Sequence, residues 1–396
     1  MQSVAFPQKS QDWHAPDWLN EQALQKVRKF HASFPMYNKT PLHDLKNLAN
    51  FMGIKKFFVK DESYRLGLNA FKVLGGSYAI GNYLARKLGM SIDDLPYEHL
   101  ISEEICRQLG DITFITATDG NHGRGVAWTA NKLKQHAIVY MPKGTSEERL
   151  VNIKKEGAEA SITEFNYDDA VRKAAKEARE NDWVLVQDTS WDGYEDIPRW
   201  IIQGYGTMVL EAYEQLPVKP THVFLQAGVG SMAAAVSGFF ANVYPGKDKP
   251  IIVIVEPEQA DCIFRTAEAA DGTIHVVGGD MSTIMAGLAC GEPCSIGWDI
   301  LSGAADYAVR CDDSVAAKGM RILGAPLDDD ARIISGESGA VTSGLVSALL
   351  LDVRYEKIKE SLHLTSDSVV LCFSTEGATD LENYRRVVWD GKYAGI

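Results

Sequence analysis

The sequence predicts an α/β protein built on doubly wound, mostly parallel sheets. Short apolar runs alternate with longer helical patterns in the middle of the chain. The apolar runs cover residues 136–141, 158–163 and 183–186, and helical patterns extend between them from Glu147 to Glu156 and from Asp168 to Glu180. Because parallel strands need crossover connections, usually helical and right-handed, this alternation favours parallel strands with helices on both faces.

The length and the composition agree with that fold class. The chain has 396 residues, of which 45% are hydrophobic, so it can bury a sizeable core as one large domain or two ordinary ones. No linker rich in proline and serine, no repeat and no low-complexity tract divides it. The sequence therefore predicts the fold class more sharply than the domain boundaries.

The first strand-to-helix turn contains Lys72. It follows the apolar strand pattern of residues 56–60, and it has Gly67 on one side and Gly75 and Gly76 on the other. A lysine that starts a helix beside a strand end can be desolvated, which lowers its pKa and frees the amine to attack a carbonyl such as that of pyridoxal phosphate. The alternative is an ordinary solvated lysine, which is far commoner.

The second turn covers residues 116–127, after the apolar run of residues 112–115. It is rich in glycine and short polar side chains, and it opens an alanine-rich helical pattern. Such a turn presents backbone N–H groups to an anionic or carbonyl group, and its glycines let a ligand approach the backbone. The pattern fits the binding of a substrate carboxylate.

The third turn lies in residues 221–233, where a strand runs into Gly228 and Gly230 and then into a helix of small residues. This pattern is typical of a phosphate cradle. It also matches the G-x-G-x-x-A form of the dinucleotide fingerprint, and Glu256 ends the next apolar strand, at residues 251–255. Because that acid lies beyond the usual separation of about 20 residues, a nicotinamide enzyme is only a remote alternative.

Charge and hydropathy exclude several classes of partner. The net charge is −13, and no run of lysine and arginine or basic patch with interleaved aromatic residues occurs. We therefore expect no nucleic-acid partner. No apolar stretch approaches the roughly 18 residues of a membrane span, and the N-terminus lacks the pattern of a signal peptide. We expect a soluble, cytoplasmic protein without a membrane partner.

The six cysteines are spread along the chain, unlike the disulfide framework of a small secreted domain. We expect reduced thiols. Cys290 and Cys294 form a C-x-x-x-C spacing, but without a second pair of ligands it is a poor zinc signal, so we predict no metal site. A disulfide between Cys262 and Cys290 is an alternative that stays open, because the sequence does not give the distance between their Cα atoms.

Several blocks, in this order along the chain, carry a family resemblance. Together the three turns resemble the fold type II pyridoxal-phosphate enzymes, the group of serine and threonine dehydratases and tryptophan synthase β. Longer blocks narrow the match, so that residues 40 to 392 resemble the diaminopropionate ammonia-lyases. These blocks are Phe71-Lys72 with Gly75-Gly76, and residues 118–125, 186–189, 285–293 and 334–340.

The resemblance implies a smaller domain inserted into a larger one, and a homodimer. We place the large, cofactor-binding domain at residues 1–85 and 205–396 and the small domain at residues 86–204.

The resemblance also implies pyridoxal 5'-phosphate as the cofactor, with Lys72 as its Schiff-base lysine. The third turn, in residues 221–233, would bind the phosphate of the cofactor. Asn121 would lie beside its phenolic oxygen, and a hydroxyl at Ser374 or Thr375 would meet its pyridine nitrogen. A neutral hydroxyl there leaves that nitrogen unprotonated, which suits elimination better than transamination. Glu337 would border the cofactor, with a solvated loop carboxylate as the alternative. The predicted cofactor-binding residues are Lys72, Asn121, Gly228, Val229, Gly230, Ser231, Met232, Glu337, Ser374 and Thr375.

Two aspartates are the predicted catalytic bases beside Lys72. Asp119 departs from the dehydratase pattern, which has a small or hydroxyl residue there, and a carboxylate can both take an α-proton and pair with a cationic β-substituent. By resemblance, Asp119 would serve the D-enantiomer of the substrate and Asp188 the L-enantiomer. The alternative for each is an aspartate of a turn or helix cap. The predicted substrate-binding residues are Thr118, Asp119, Gly120, His122 and Asp188.

The predicted reaction is the α,β-elimination of ammonia from D- and L-2,3-diaminopropionate. Aminoacrylate is released and hydrolyses to pyruvate and a second ammonia, so the chemistry needs neither a redox cofactor nor a metal. A serine or threonine dehydratase, or a β-replacing synthase of the same fold type, is the alternative. A binding protein without catalytic activity is a remote alternative, because a protein that only binds needs neither Lys72 nor the two aspartates.

Overall fold

A computed structural model describes residues 1–7, 13–118 and 120–395 of the chain. Asp119, one of the two predicted bases, lies outside the described residues. The described strands are β1 Gln2–Ala5, β2 Leu42–Asp44, β3 Lys56–Asp61, β4 Thr113–Ala117, β5 His136–Met141, β6 Glu159–Ile162, β7 Val184–Leu185, β8 His222–Gln226, β9 Ile251–Pro257, β10 Tyr307–Cys311 and β11 Val369–Ser374.

The helices complete the layers on both sides of the sheets. They are α1 Glu21–Ala32, α2 Lys46–Met52, α3 Val73–Leu88, α4 Tyr97–Leu100, α5 Glu103–Leu109, α6 Asn121–Lys132, α7 Glu147–Lys155, α8 Tyr167–Asn181, α9 Asp196–Gln215, α10 Ser231–Val243, α11 Cys262–Ala269, α12 Ser295–Ala304, α13 Asp313–Gly324, α14 Glu337–Leu351, α15 Glu356–Ser361 and α16 Leu381–Val388. None of these described helices is both long enough and apolar enough to span a membrane.

The larger sheet has seven described strands in the order β1-β10-β9-β8-β11-β3-β2. The five inner strands are parallel, and the two edge strands, β1 and β2, pair antiparallel with β10 and β3. The inner strands are apolar and buried along nearly their whole length because helices cover both faces. This arrangement sets the ends of β8, β11 and β3 side by side.

The smaller sheet has four described strands, all parallel, in the order β6-β5-β4-β7. It confirms the alternation of strands and helices that the sequence predicts in this region. β7 is shorter than the predicted run at residues 183–186, because the N–H group of Trp183 donates to the carbonyl oxygen of Ala178 and so closes the end of α8. The α/β fold class with mostly parallel sheets is confirmed.

Helix α3 lies against both α9 and α6, and glycines make both contacts close. A Cβ atom on Gly204 of α9 would lie 2.5 Å from the carbonyl oxygen of Leu74, and one on Gly125 of α6 would lie 2.8 Å from the Cα atom of Val73. These contacts fix the start of α3, next to Lys72. The expected domain limits at residues 86 and 204 fall inside α3 and α9, and the division stays a prediction.

Candidate active site

A cavity lies where the carboxyl ends of strands from both sheets meet. β8, β11 and the segment after β7 each contribute residues to its wall, as a doubly wound sheet predicts for a ligand site. The lining residues are Phe71, Lys72, Asn121, Asp188, Tyr205, Gln226, Ala227, Gly228, Val229, Gly230, Ser231, Met232, Ala233, Gly287, Leu288, Cys290, Ser338, Thr375 and Glu376.

Lys72 and Asp188 meet in this cavity. The Nζ atom of Lys72 lies 3.1 Å from Oδ2 of Asp188, and the two side chains are 15% and 4% exposed. Burial acts to raise the pKa of Asp188, but Lys72, His122 and a hydrogen bond from Tyr167 outweigh it and hold that pKa well below its usual range. The structure therefore places an amine beside an ionised carboxylate, and a proton can pass directly between them.

The turn before α10 forms a concave backbone surface at the other side of the cavity. Gly230 has φ +94°, and a Cβ atom on Gly228 would lie 3.1 Å from the Sγ atom of Cys290, so both positions favour glycine. The first N–H groups of a 13-residue helix have no partners within the helix, and the residues that carry them here line the cavity. This cradle fits a phosphate group, and with Lys72 opposite it the residues present fit pyridoxal phosphate.

Ser231 contributes to this cradle through its backbone. Its hydroxyl donates to the backbone carbonyl oxygen of Asp188 at 2.6 Å. The side chain therefore ties the start of α10 to the strand end that carries Asp188, and the N–H groups are left to bind an anion.

Asn121 begins α6 and reaches the cavity, where it meets Glu376. Its Nδ2 atom donates to Oε2 of Glu376 at 2.5 Å, and Oε1 of Glu376 accepts from the backbone N–H of Ser338 at 3.1 Å. Glu376 is 2% exposed. The sequence reasoning missed this residue, although a carboxylate directly after the end of β11 was a usable signal.

Of the two hydroxyl residues at the end of β11, only Thr375 lines the cavity. Its Oγ1 atom accepts a hydrogen bond from Nε2 of Gln226 at 2.9 Å, and Gln226 is a second lining residue that the sequence reasoning missed. Ser374 instead donates to Oγ of Ser335 at 2.8 Å, behind the cavity wall. The structure thus favours Thr375 over Ser374 as a contact for a bound ring.

Glu337 lines a larger crevice next to the cavity, and its position beside the cofactor stays a prediction. One of its carboxylate oxygens accepts from Nδ2 of Asn383 at 2.5 Å. Burial, together with the charge of Glu376, raises the pKa of Glu337 to about 7, although Arg149 opposes the shift. Ser338, the next residue of α14, borders the cavity.

The remaining predicted substrate residues shape the turn around Asp119. Oγ1 of Thr118 accepts from the N–H groups of Gly120 at 2.9 Å and Gly123 at 3.0 Å. Nε2 of His122 lies 2.8 Å from the backbone carbonyl oxygen of Val186, and the histidine is 1% exposed. Thr118, Gly120 and His122 are all buried and none of them is among the residues that line the cavity, and their binding of the substrate stays a prediction.

Two further predictions concern residues close to the cradle. Cys262 and Cys290 are both buried and neither forms a disulfide, and Cys290 lines the cavity. Glu256, the acid of the dinucleotide alternative, is fully buried, and its two oxygens accept from the N–H groups of Ile263 at 3.0 Å and Phe264 at 2.6 Å. Its carboxylate closes the start of α11 and is not available to a ribose.

Comparison with known proteins is consistent with this geometry. A family model described as a pyridoxal-phosphate dependent enzyme matches residues 34–373. A diaminopropionate ammonia-lyase from Escherichia coli K12 is 52% identical over 380 residues, which cover 95% of this chain and 94% of the relative. The chain belongs to the diaminopropionate ammonia-lyase family of pyridoxal-phosphate-dependent enzymes.

Further relatives support the same placement. The diaminopropionate ammonia-lyase of Salmonella typhimurium LT2 is 50% identical over 381 residues, 95% of this chain and 94% of the relative. A crystal structure of the holo enzyme from Escherichia coli superposes with a TM-score of 0.91 at 47% identity, covering 99% of this chain and 98% of that one. A threonine deaminase from Solanum lycopersicum, at 19% identity and a TM-score of 0.72, shares the fold.

Membership of the diaminopropionate ammonia-lyase family confirms three predictions. The fold is that of fold type II pyridoxal-phosphate enzymes, the cofactor is pyridoxal phosphate, and the enzyme class is a lyase. A further structure of the Escherichia coli enzyme contains an aminoacrylate-PLP azomethine reaction intermediate. The roles of individual residues in this chain stay predictions.

Proposed function

We propose that this protein removes ammonia from both D- and L-2,3-diaminopropionate and releases aminoacrylate, which water converts to pyruvate and a second ammonia. The observation that carries the proposal is the pairing of Lys72 with an ionised Asp188 opposite a phosphate-binding helix start. When bound, pyridoxal phosphate supplies an electron-accepting ring that stabilises negative charge at the α-carbon of the substrate.

Each residue of the cavity has a definite task in this proposal. The amine of Lys72 holds the cofactor covalently, and the N–H groups of residues 228–233 bind its phosphate. The amide of Asn121, fixed by Glu376, faces the phenolic oxygen, and the hydroxyl of Thr375 faces the ring nitrogen. The apolar faces of Phe71 and Tyr205 exclude water from the same space.

The two carboxylates divide the substrate enantiomers between them. Asp188 takes the α-proton of the L-form at its Oδ2 atom, and Lys72, 3.1 Å away, can receive that proton. Asp119 takes the α-proton of the D-form and pairs with the β-ammonium group. The assignment of Asp119 rests on the resemblance.

The substrate is tested by pyruvate formation from four amino acids, measured side by side with the cofactor-loaded protein. We expect rapid turnover of D- and L-2,3-diaminopropionate, with D- and L-serine far slower, because a serine hydroxyl offers Asp119 no ionic partner. Faster turnover of serine than of either diamino acid would contradict the proposal and would place the protein with the dehydratases.

The assembly and location follow from the resemblance alone. We propose a cytoplasmic homodimer. Light scattering after size-exclusion chromatography measures the mass in solution, and we expect twice the chain mass of 43.6 kDa. A mass of one chain would contradict the dimer without bearing on the reaction.

A further inference from the structure

The hydroxyl of Tyr167 lies at the junction of the outer crevice and the cavity. Tyr167 begins α8, is 7% exposed and lines the crevice, while its hydroxyl donates to Oδ1 of Asp188 at 2.9 Å. The other oxygen of the same carboxylate, Oδ2, faces Lys72. Tyr167 therefore holds the side of Asp188 that points away from the amine.

Gln187 fixes the direction of this hydrogen bond. Its Oε1 atom accepts from the backbone N–H of Ala117 at 3.0 Å, and its Nε2 atom donates to the backbone carbonyl oxygen of Ala117 at 3.0 Å. Since a backbone N–H cannot accept, the orientation of the amide is settled. Nε2 also donates to the hydroxyl oxygen of Tyr167 at 2.8 Å, so the phenolic proton is directed at Asp188.

The surroundings keep Tyr167 a neutral donor. Burial raises the pKa of Tyr167 well above its usual value, and the charge of Asp188 raises it further. A phenol that keeps its proton stabilises the ionised form of the carboxylate that accepts from it. Asp188 therefore has Lys72 at Oδ2 and two neutral donors at Oδ1, the hydroxyl of Tyr167 at 2.9 Å and, at the longer distance of 3.3 Å, Nε2 of Gln187.

We propose that Tyr167 is a positioning residue for Asp188 in the turnover of the L-enantiomer. Its hydroxyl keeps the carboxylate ionised and turned so that Oδ2 faces Lys72 and the substrate. Because the contact is to Asp188, we infer that the D-enantiomer, which Asp119 serves, does not depend on it. This inference rests on the proposed function, which assigns Asp188 to the L-form.

Tyr167 is the group around Asp188 that can be tested without a change in charge. Replacing Lys72 or His122 removes a potential cation, and replacing Gln187 disturbs the backbone contacts of β4. Tyr167→Phe removes one oxygen atom and leaves the ring in place. The titratable groups that face Asp188 from the packed elements are Lys72, His122, Tyr167, Tyr194 and Cys294.

The experiment compares Tyr167→Phe with the unchanged protein on both enantiomers across pH. We expect kcat for the L-form to fall by about 10-fold with KM nearly constant, and the acid limb of its pH profile to move to higher pH, since loss of a hydrogen bond to the ionised carboxylate raises its pKa. The D-profile should not change. The control is Tyr140→Phe, which removes a tyrosine hydroxyl bonded to Glu177, outside the cavity.

Infrared spectroscopy of the cofactor-free protein gives an independent readout. The carboxylate stretching band of Asp188 is the one that Asp188→Asn removes, and we expect Tyr167→Phe to shift it and Tyr140→Phe to leave it. Three results with Tyr167→Phe would each overturn the role of Tyr167. They are an unmoved carboxylate band, an equal loss of turnover on both enantiomers, and unchanged turnover of the L-form when Asp188→Asn abolishes it. Full L-turnover by Asp188→Asn would instead refute the base assignment on which the inference rests.

Discussion

The residues of the cavity differ in how far the sequence determines them. Asn121 and Asp188 follow neighbouring strands of the smaller sheet, so parallel topology brings them to one edge, whereas Lys72 follows β3 of the larger sheet and meets them only where the two sheets come together. Glu376 also follows a strand, but the sequence does not show that its carboxylate accepts from Asn121, because that contact joins residues 255 positions apart in the chain. Long-range polar pairs of this kind need the folded structure.

Glu376 yields the first prediction at this scale. Both of its oxygens accept hydrogen bonds, from Asn121 and from the N–H group of Ser338, and a glutamine has only one acceptor oxygen. Glu376→Gln should therefore lose one bond, leave Asn121 less fixed, and weaken cofactor binding about 10-fold, as expected for roughly 1.5 kcal/mol.

The affinity can be measured by fluorescence titration of the cofactor-free protein with pyridoxal phosphate. Glu382→Gln changes an exposed glutamate on α16 and serves as the matched control. An unchanged affinity in Glu376→Gln would show that the pair does not support the cofactor.

At the scale of elements, a buried charge cluster joins α9 to the segment that leads from β3 to Lys72. Glu211 of α9 accepts from Nη2 of Arg65 at 2.8 Å and from Nζ of Lys60 at 2.9 Å, and all three side chains are fully buried. Burial opposes the ionisation of Glu211, but Arg65 and Lys60 lower its pKa to about 2. The cluster holds the approach to Lys72 against a long helix.

Removal of the Glu211 charge should therefore be costly, because the buried Lys60 loses its ion pair and the buried Arg65 keeps only Glu62. We expect Glu211→Gln to lower the free energy of unfolding by about 3–5 kcal/mol, as measured by urea denaturation. Glu214→Gln, one turn further along α9, breaks a partly exposed pair with Arg28 and should cost about 1 kcal/mol or less. Equal losses in the two variants would contradict this account of the cluster.

His31 links three helices and makes their packing sensitive to pH. Its ring on α1 lies 2.7 Å from Oγ1 of Thr207 on α9 and 3.0 Å from the carbonyl oxygen of Leu74 on α3. Burial, and then the charge of Arg65, lower the pKa of His31 to about 3. The unfolded chain, with a pKa of about 6.5 at this residue, therefore binds a proton that the folded protein does not.

Because of that difference in bound protons, a lower pH lowers the free energy of unfolding. The contribution of His31 to stability is fully present above pH 6.5 and is lost as the pH falls, by up to about 1.4 kcal/mol per pH unit until the pH reaches about 3. Between pH 7 and pH 5.5, we expect the unchanged protein to lose about 1 kcal/mol more unfolding free energy than His31→Gln does. Urea denaturation at the two pH values measures both losses. Equal losses in the unchanged protein and in His31→Gln would refute the assignment of His31 as a buried neutral histidine.

At the scale of the whole molecule, apolar periodicity predicted the architecture well and its irregular parts poorly. The regular runs that became β9 and β11 were readable because inner parallel strands with both faces covered are apolar along nearly their whole length. The edge strands β1 and β2 were not predicted, since short, half-exposed strands of three or four residues carry little pattern. The strand order of the larger sheet also had no sequence signal, because β11 inserts between β8 and β3 from far along the chain.

The crevice outside the cavity is a second feature that only the structure shows. It brings together residues near 143, 166, 281 and 383, which lie far apart in the chain, and Tyr167 and Glu337 line its wall. The sequence places Asp119 and Asp188 at strand ends but does not show that Tyr167 and Gln187 support one of them. The support of Asp188 by Tyr167 and Gln187 is therefore a feature that a comparison of enantiomers can test.

The most direct test of the two-base account is enantiomer-resolved turnover by Asp119→Asn and Asp188→Asn, with pyruvate formation from D- and L-2,3-diaminopropionate as the measurement. We predict that Asp119→Asn loses the D-activity and keeps part of the L-activity, and that Asp188→Asn shows the opposite preference. Full D-activity in Asp119→Asn, or equal loss of both activities in each variant, would contradict the division of the enantiomers between the two carboxylates.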